Sequence, residues 1–206
     1  YEAKGRPSDN PLIVHIADLE DLSEITENVP PETELLAKHF WPGPLTMIFE
    51  KSSLVPYGTT GGLDTVAVRM PSDLIARKLI LAAGGYVSAP SANTSGRPSP
   101  TTAEHVWEDL NGKIEMIIDG GSVDIGLEST ILDMTVSPPM ILRPGAITAD
   151  MLEEVIGVVS VDETILGSES SQAPKAPGMK YRHYAPKADL KIVEGPVEKV
   201  VAYINE

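Results

Sequence analysis

Apolar runs of strand length recur along the chain, at 12–16, 45–49, 65–70, 115–118, 129–133 and 140–143, with a shorter run ending at Val87. Short runs rich in Val, Ile, Leu and Thr, bounded by turn residues, are strand signals. Between them the pattern predicts helices over 31–40, 72–83, 102–110 and 148–156, with Ser72 and Thr148 as capping residues and Gly84 as a stop. Strand follows strand between 129 and 143, which favours a hairpin there. The helix-separated strands allow crossovers, so the expected fold class is α/β with a sheet of mixed direction.

From 167 to 186 the composition changes to Ser, Gln, Ala, Pro and Lys, and Pro174, Pro177 and Pro186 oppose a regular helix or central strand. Beyond this linker, 189–193 reads as a strand and 196–204 as a helix, an opening too short to bury its own apolar face. The expected division is therefore a main domain at 1–166, a linker at 167–186, and the start of a truncated second α/β domain at 187–206. The chain begins Tyr1-Glu2-Ala3 and meets a dense motif at Lys4, so an N-terminal part is expected to be missing.

The formal net charge of -14 opposes sequence-independent attraction to nucleic acid or to an anionic membrane. No apolar run approaches the roughly 20 residues of a membrane span. The chain holds no cysteine, which excludes disulfides and thiolate metal sites and fits a cytoplasmic setting. His15, His39, His105 and His183 show no metal-ligand spacing, so no tightly bound protein metal is expected.

Against this acidic background four stretches carry chemistry. In Lys4-Gly5-Arg6, followed by Ser8-Asp9-Asn10-Pro11 and the strand containing His15, an extended backbone would project both cations to one face about 7 Å apart, a spacing suited to a polyphosphate. Two solvated surface cations would show the same spacing. Residues 88–101, Ser-Ala-Pro-Ser-Ala-Asn-Thr-Ser-Gly-Arg-Pro-Ser-Pro-Thr, crowd hydroxyls and amides at a strand end and can present N–H groups and Ser oxygens to an anion, or simply cap the next helix. They match neither a P-loop nor a dinucleotide fingerprint. Arg69 and Arg143 each end an apolar strand, and with Lys4 and Arg6 they supply four cations suggesting a focused anion pocket. The linker run Pro177 to Pro186 is basic and aromatic, and reads either as a segment folding over a pocket or as a tether.

Together Lys4-Gly5-Arg6, Ser8-Asp9-Asn10-Pro11-Leu12, Trp41-Pro42-Gly43-Pro44-Leu45-Thr46, Ser91-Ala92-Asn93, Ser129-Thr130, Arg143-Pro144-Gly145 and His183-Tyr184 resemble the threonylcarbamoyl-adenylate synthase (YrdC-like) family in its longer form. The resemblance implies a twisted open mixed sheet with helices and a reaction joining L-threonine, bicarbonate and ATP, with Mg²⁺ travelling with the ATP. Products would be threonylcarbamoyl-adenylate and pyrophosphate. In the family a partner threonylcarbamoyl transferase then modifies adenosine 37 of tRNAs reading codons that start with A, so tRNA is an indirect partner. By motif position Lys4, Arg6, Ser91 and Asn93 would be catalytic and hold the triphosphate. Asn10, Thr65, Ser99, Arg143 and Tyr184 would join them on the ATP side, and His15, Arg69, Ala89 and Ser129 would line the threonine side. A noncatalytic RNA-binding module remains the alternative, opposed by the net charge.

Overall fold

The computed structural model describes residues 1–166 and 191–205. Eight strands are present among them: β1 (Ile13–Ile16), β2 (Thr26–Glu27), β3 (Leu45–Lys51), β4 (Thr65–Arg69), β5 (Tyr86–Ala89), β6 (Thr130–Asp133), β7 (Met140–Arg143) and β8 (Ser160–Val161). They form one open sheet in the order β5-β1-β4-β3-β6-β7-β8, with β2 pairing on the end of β3. β1 and β4, β3 and β6, and β7 and β8 are parallel, while β5 with β1, β3 with β4, and β6 with β7 are antiparallel. The mixed α/β sheet and the hairpin over 129–143 thus match the pattern of apolar runs.

Seven helices accompany the sheet in the described residues: α1 (Leu22–Ile25), α2 (Glu32–Phe40), α3 (Tyr57–Thr60), α4 (Leu74–Ala82), α5 (Ala103–Leu110), α6 (Ala149–Ile156) and α7 (Val197–Asn205). The Thr148 hydroxyl caps α6 by accepting from Met151 N. At α4 the cap is Asp73 rather than Ser72, because its carboxylate accepts from Ala76 N at 2.7 Å.

Alternation along the strands divides the sheet into two faces. Leu45, Met47 and Phe49 of β3, Val66 and Val68 of β4, Leu132 and Ile141 pack with Leu36 and Trp41 at α2 and Leu152 of α6. Each fully buried side chain of this size stabilises the fold by about 1.5–3 kcal/mol. On the opposite face, Ile48, Ala67, Ile131 and Leu142 form a smaller cluster with Ile13 and Met140 against it. This second face carries the site.

One expected strand does not form, and another is irregular over its described residues. Residues 115–118 are irregular, with Met116 and Ile118 more than half exposed, because no strand edge pairs with them. Residues 191–193 are also irregular, and the rest of that run, with the 167–186 linker and Tyr184, lies outside the described residues.

Candidate active site

A cleft of about 230 Å³ opens on the second face of the sheet. Ile13, His15, Arg69, Ala89, Ser129 and Arg143 line it together with Arg6, Ser91, Asn93 and Ser99. The irregular segment 123–128 contributes Val123, Ile125 and Glu128 to the lining. Nine of the thirteen expected site residues, separated by as many as 137 positions (from Arg6 to Arg143), meet here. In a chain of net charge -14, the lining holds three arginines against the single carboxylate of Glu128. Such a concentration of like charge in a partly enclosed space selects anions.

How the arginines face the cleft is a matter of register. His15 pairs with Arg69 across the parallel β1 and β4, so both project from the same face. Arg143 reaches that face through an irregularity: Leu132 pairs with Ile141, yet Ile131 pairs with Arg143, leaving Leu142 as an extra residue in β7. Without this bulge Arg143 would share the core face with Ile141; the extra residue turns it toward the cleft.

Hydrogen bonds from behind then fix the side chains. Arg69 donates from Nε to Gly43 O at 3.0 Å. Arg143 donates to Ser129 O from Nε at 3.0 Å and from Nη2 at 2.9 Å, and Nη2 also donates to Ser129 Oγ at 3.0 Å. The Ser129 hydroxyl is 2.7 Å from Thr46 Oγ1. The run Trp41 to Thr46 therefore works from beneath the site: Trp41 Nε1 donates to Leu45 O, Gly43 O receives Arg69, Pro44 O receives Thr130 N and Thr46 meets Ser129.

Burial and charge also set the protonation states. Burial first, and then the charge of Arg143, lowers the Arg69 pKa. The His15 pKa is lowered to about 4, first by burial and then by Arg69, so its ring is neutral at pH 7. Between pH 4 and 6.5 the unfolded chain binds a proton at this position that the folded chain does not. Stability should therefore fall as pH drops through that window, by roughly 3 kcal/mol in all. Thermal unfolding at pH 7 and pH 4.5, with a His15→Asn variant for comparison, measures this; an equal pH dependence in both proteins would refute it. Arg69→Gln should move the His15 titration, followed by NMR, part of the way back toward 6.5.

Three expected residues are placed differently. Lys4 does not project beside Arg6 from an extended segment, because Glu2–Lys4 form a 3-10 turn closed by Gly5 at φ 62°. Its ammonium instead turns inward and donates to the carbonyl oxygens of Ser91 and Asn93. Burial, and then the charge of Arg6, lowers the Lys4 pKa to about 8. Asn10 is 2% exposed and does not line the cleft; it precedes Pro11, whose O accepts from Arg6 Nη2 at 2.6 Å. Thr65 begins β4, four residues from Arg69, and borders a separate depression with Glu27, Glu50 and Asp64. The residues that sequence reasoning did not single out, Val123 and Ile125, come from an irregular loop with no periodic signal.

In the 90–101 loop, Asn93 Nδ2 donates to Thr94 O at 3.0 Å and to Arg97 O at 2.9 Å. With both amide protons committed, its Oδ1 is left as a pure acceptor, and Asn93 Oδ1 and Ser99 Oγ are buried without hydrogen-bond partners among the described residues.

A family model described as telomere recombination, that of Sua5, YciO and YrdC, matches residues 1–145. The chain belongs to the Sua5/YciO/YrdC family. A second model, the C-terminal domain of threonylcarbamoyl-AMP synthase, matches residues 147–205. The Pyrococcus abyssi threonylcarbamoyl-AMP synthase is 56% identical over 206 residues, and that of Bacillus subtilis 51% identical over 207. All of this chain is covered in both comparisons, but only 60% and 59% of those proteins. A crystal structure of P. abyssi Sua5 complexed with L-threonine superposes with a TM-score of 0.93, covering 98% of this chain and 59% of that one. The open mixed sheet is thus the Sua5/YrdC fold, and the chain spans about three fifths of the length of these relatives.

Proposed function

We propose that this chain carries the catalytic cleft of a threonylcarbamoyl-adenylate synthase, which forms threonylcarbamoyl-AMP and pyrophosphate from L-threonine, bicarbonate and ATP. The observation that carries this reading is the cleft itself: three arginines lining one 230 Å³ space, in a chain 56% identical to a protein named for that product. Arg69, Ser129 and neutral His15 form a subsite for an amino-acid carboxylate, and Arg143, expected from the motif on the ATP side, is reassigned to this subsite because its guanidinium is bonded to Ser129. Arg6 and the polar 90–101 loop form a subsite for phosphates, with Lys4 fixing that loop from behind.

The reaction needs no side-chain nucleophile. The neutral threonine amine bonds to the bicarbonate carbon with loss of water, a carbamate oxygen then attacks the α-phosphorus of ATP, the bond to the pyrophosphate oxygen breaks, and the electron pair leaves with pyrophosphate. Arg6 stabilises the charge that grows on the leaving group, and the shared cleft holds the carbamate in line. A ring whose pKa is about 4 is a weak base, so His15 offers a neutral hydrogen-bonding edge, and the proton of the threonine amine passes to a substrate group or a water. The unpartnered oxygens of Asn93 and Ser99 suit a hard cation, and would be the protein's oxygen ligands for Mg²⁺ arriving with ATP. When bound, that ion would neutralise phosphate charge.

Among the described residues no helix is long and apolar enough to cross a membrane. We place the protein in the cytoplasm, handing its product to a threonylcarbamoyl transferase that modifies tRNA. We retain the division into a catalytic domain at 1–166, a linker at 167–186 and a second-domain segment at 187–206. Full-length protein incubated with ATP, Mg²⁺, bicarbonate and threonine should release pyrophosphate only when both threonine and bicarbonate are present. Release without either would reject the reading. Arg6→Ala should lower that turnover tenfold or more with an unchanged melting temperature, and unaltered turnover would remove Arg6 from the phosphate subsite.

A further inference from the structure

Asp109 does not line the cleft, yet it organises one wall of it. It is 7% exposed at the end of α5. Its Oδ2 accepts from Thr94 N at 2.8 Å, and its Oδ1 pairs with the guanidinium of Arg97. Its backbone oxygen accepts from the Thr94 hydroxyl at 3.3 Å and from Lys113 Nζ at 3.0 Å. Thr94 O and Arg97 O are the two acceptors that hold the amide of Asn93. A single carboxylate therefore grips both residues that fix Asn93, and the buried Oδ1 of Asn93 is fixed by this relay in a cleft where nothing else among the described residues bonds it.

We infer that Asp109 is a positioning residue for nucleotide binding, acting through Thr94 and Arg97 to fix the orientation of Asn93. The inference rests on the assignment of the 90–101 loop to the nucleotide. Two physical points favour a positioning role over a stabilising one. The Arg97 side chain is 46% exposed, so water screens its pair with Asp109 and the charge contact adds little to folding. The Thr94 and Arg97 contacts instead remove freedom from a loop that has no regular secondary structure, and loss of such support typically leaves a site intact but loosely set.

The test is calorimetric titration of full-length protein with Mg·ATP and, separately, with threonine. Asp109→Asn keeps the volume but loses the charge, and should raise the Kd for Mg·ATP at least fivefold while the Kd for threonine stays within twofold. In turnover assays KM for ATP should rise more than kcat falls. A smaller change in the Mg·ATP Kd, or equal weakening of both ligands, would overturn the role. Should Asp109→Asn not fold, Arg97→Met decides, because this half-exposed side chain is not part of the core. It should weaken Mg·ATP at least twofold with threonine unaffected, and an unchanged nucleotide Kd would overturn the proposal. Wild-type protein that binds threonine but no Mg·ATP would reject the nucleotide assignment itself, and the role of Asp109 with it.

Discussion

Gly145→Ala should destabilise the protein by about 3 kcal/mol and weaken threonine binding, although the residue adds no functional group to the cleft. A Cβ at this position would lie 2.4 Å from Thr130 N, 2.5 Å from Glu128 O and 2.8 Å from Ser129 C. All three are backbone atoms, so no side chain can swing aside. The strain must move either the turn after β7 or the 128–130 segment, and Thr130 is tied in place by its bonds to Pro44 O and Ile147 O. Ser129 would shift away from Arg143 and Thr46. Thermal unfolding and threonine titration measure the two effects, and a melting temperature within 1 °C of the wild type with normal threonine affinity would refute this packing account.

Arg143→Ala should reduce threonine affinity a hundredfold or more while lowering stability only modestly. Its guanidinium makes three donations to Ser129, so truncation removes a cation from the subsite and leaves both Ser129 O and Ser129 Oγ without that partner. Losing one member of a charged, hydrogen-bonded recognition pair typically costs about 2–5 kcal/mol of binding. Arg143→Lys should recover little, because an ammonium cannot reproduce the forked contact. Relief of repulsion works in the opposite direction, since the Arg143 charge lowers the pKa of Arg69. That term is screened and smaller than the loss of direct contacts, so the net effect is weaker binding. Isothermal titration decides: a change of less than threefold would remove Arg143 from the ligand subsite.

The apolar runs located β3, β4, β6 and β7 to within one or two residues, because burial of alternate positions is written locally in the chain. Gly43 and Gly145 are visible in the sequence, but the need for glycine is not. At both, a Cβ would strike the backbone, Phe40 O at 2.4 Å in the case of Gly43, and such collisions arise only after folding.

By itself the sequence determined the mixed α/β class, the acidic balance against which a few cations stand out, and most of the residues that meet in the cleft. The first two are properties of residue type and spacing, whereas the site residues follow from the motifs that carry the family resemblance. Only the tertiary structure decided where those residues point. The extra residue at Leu142 turned Arg143 from the core face to the cleft, the 3-10 turn at Glu2–Lys4 drew Lys4 inward to hold a loop, and the length of β4 separated Thr65 from Arg69. Direction depends on register, bulges and turns, which are settled by partners distant in the chain and leave no periodic trace in the segment they redirect.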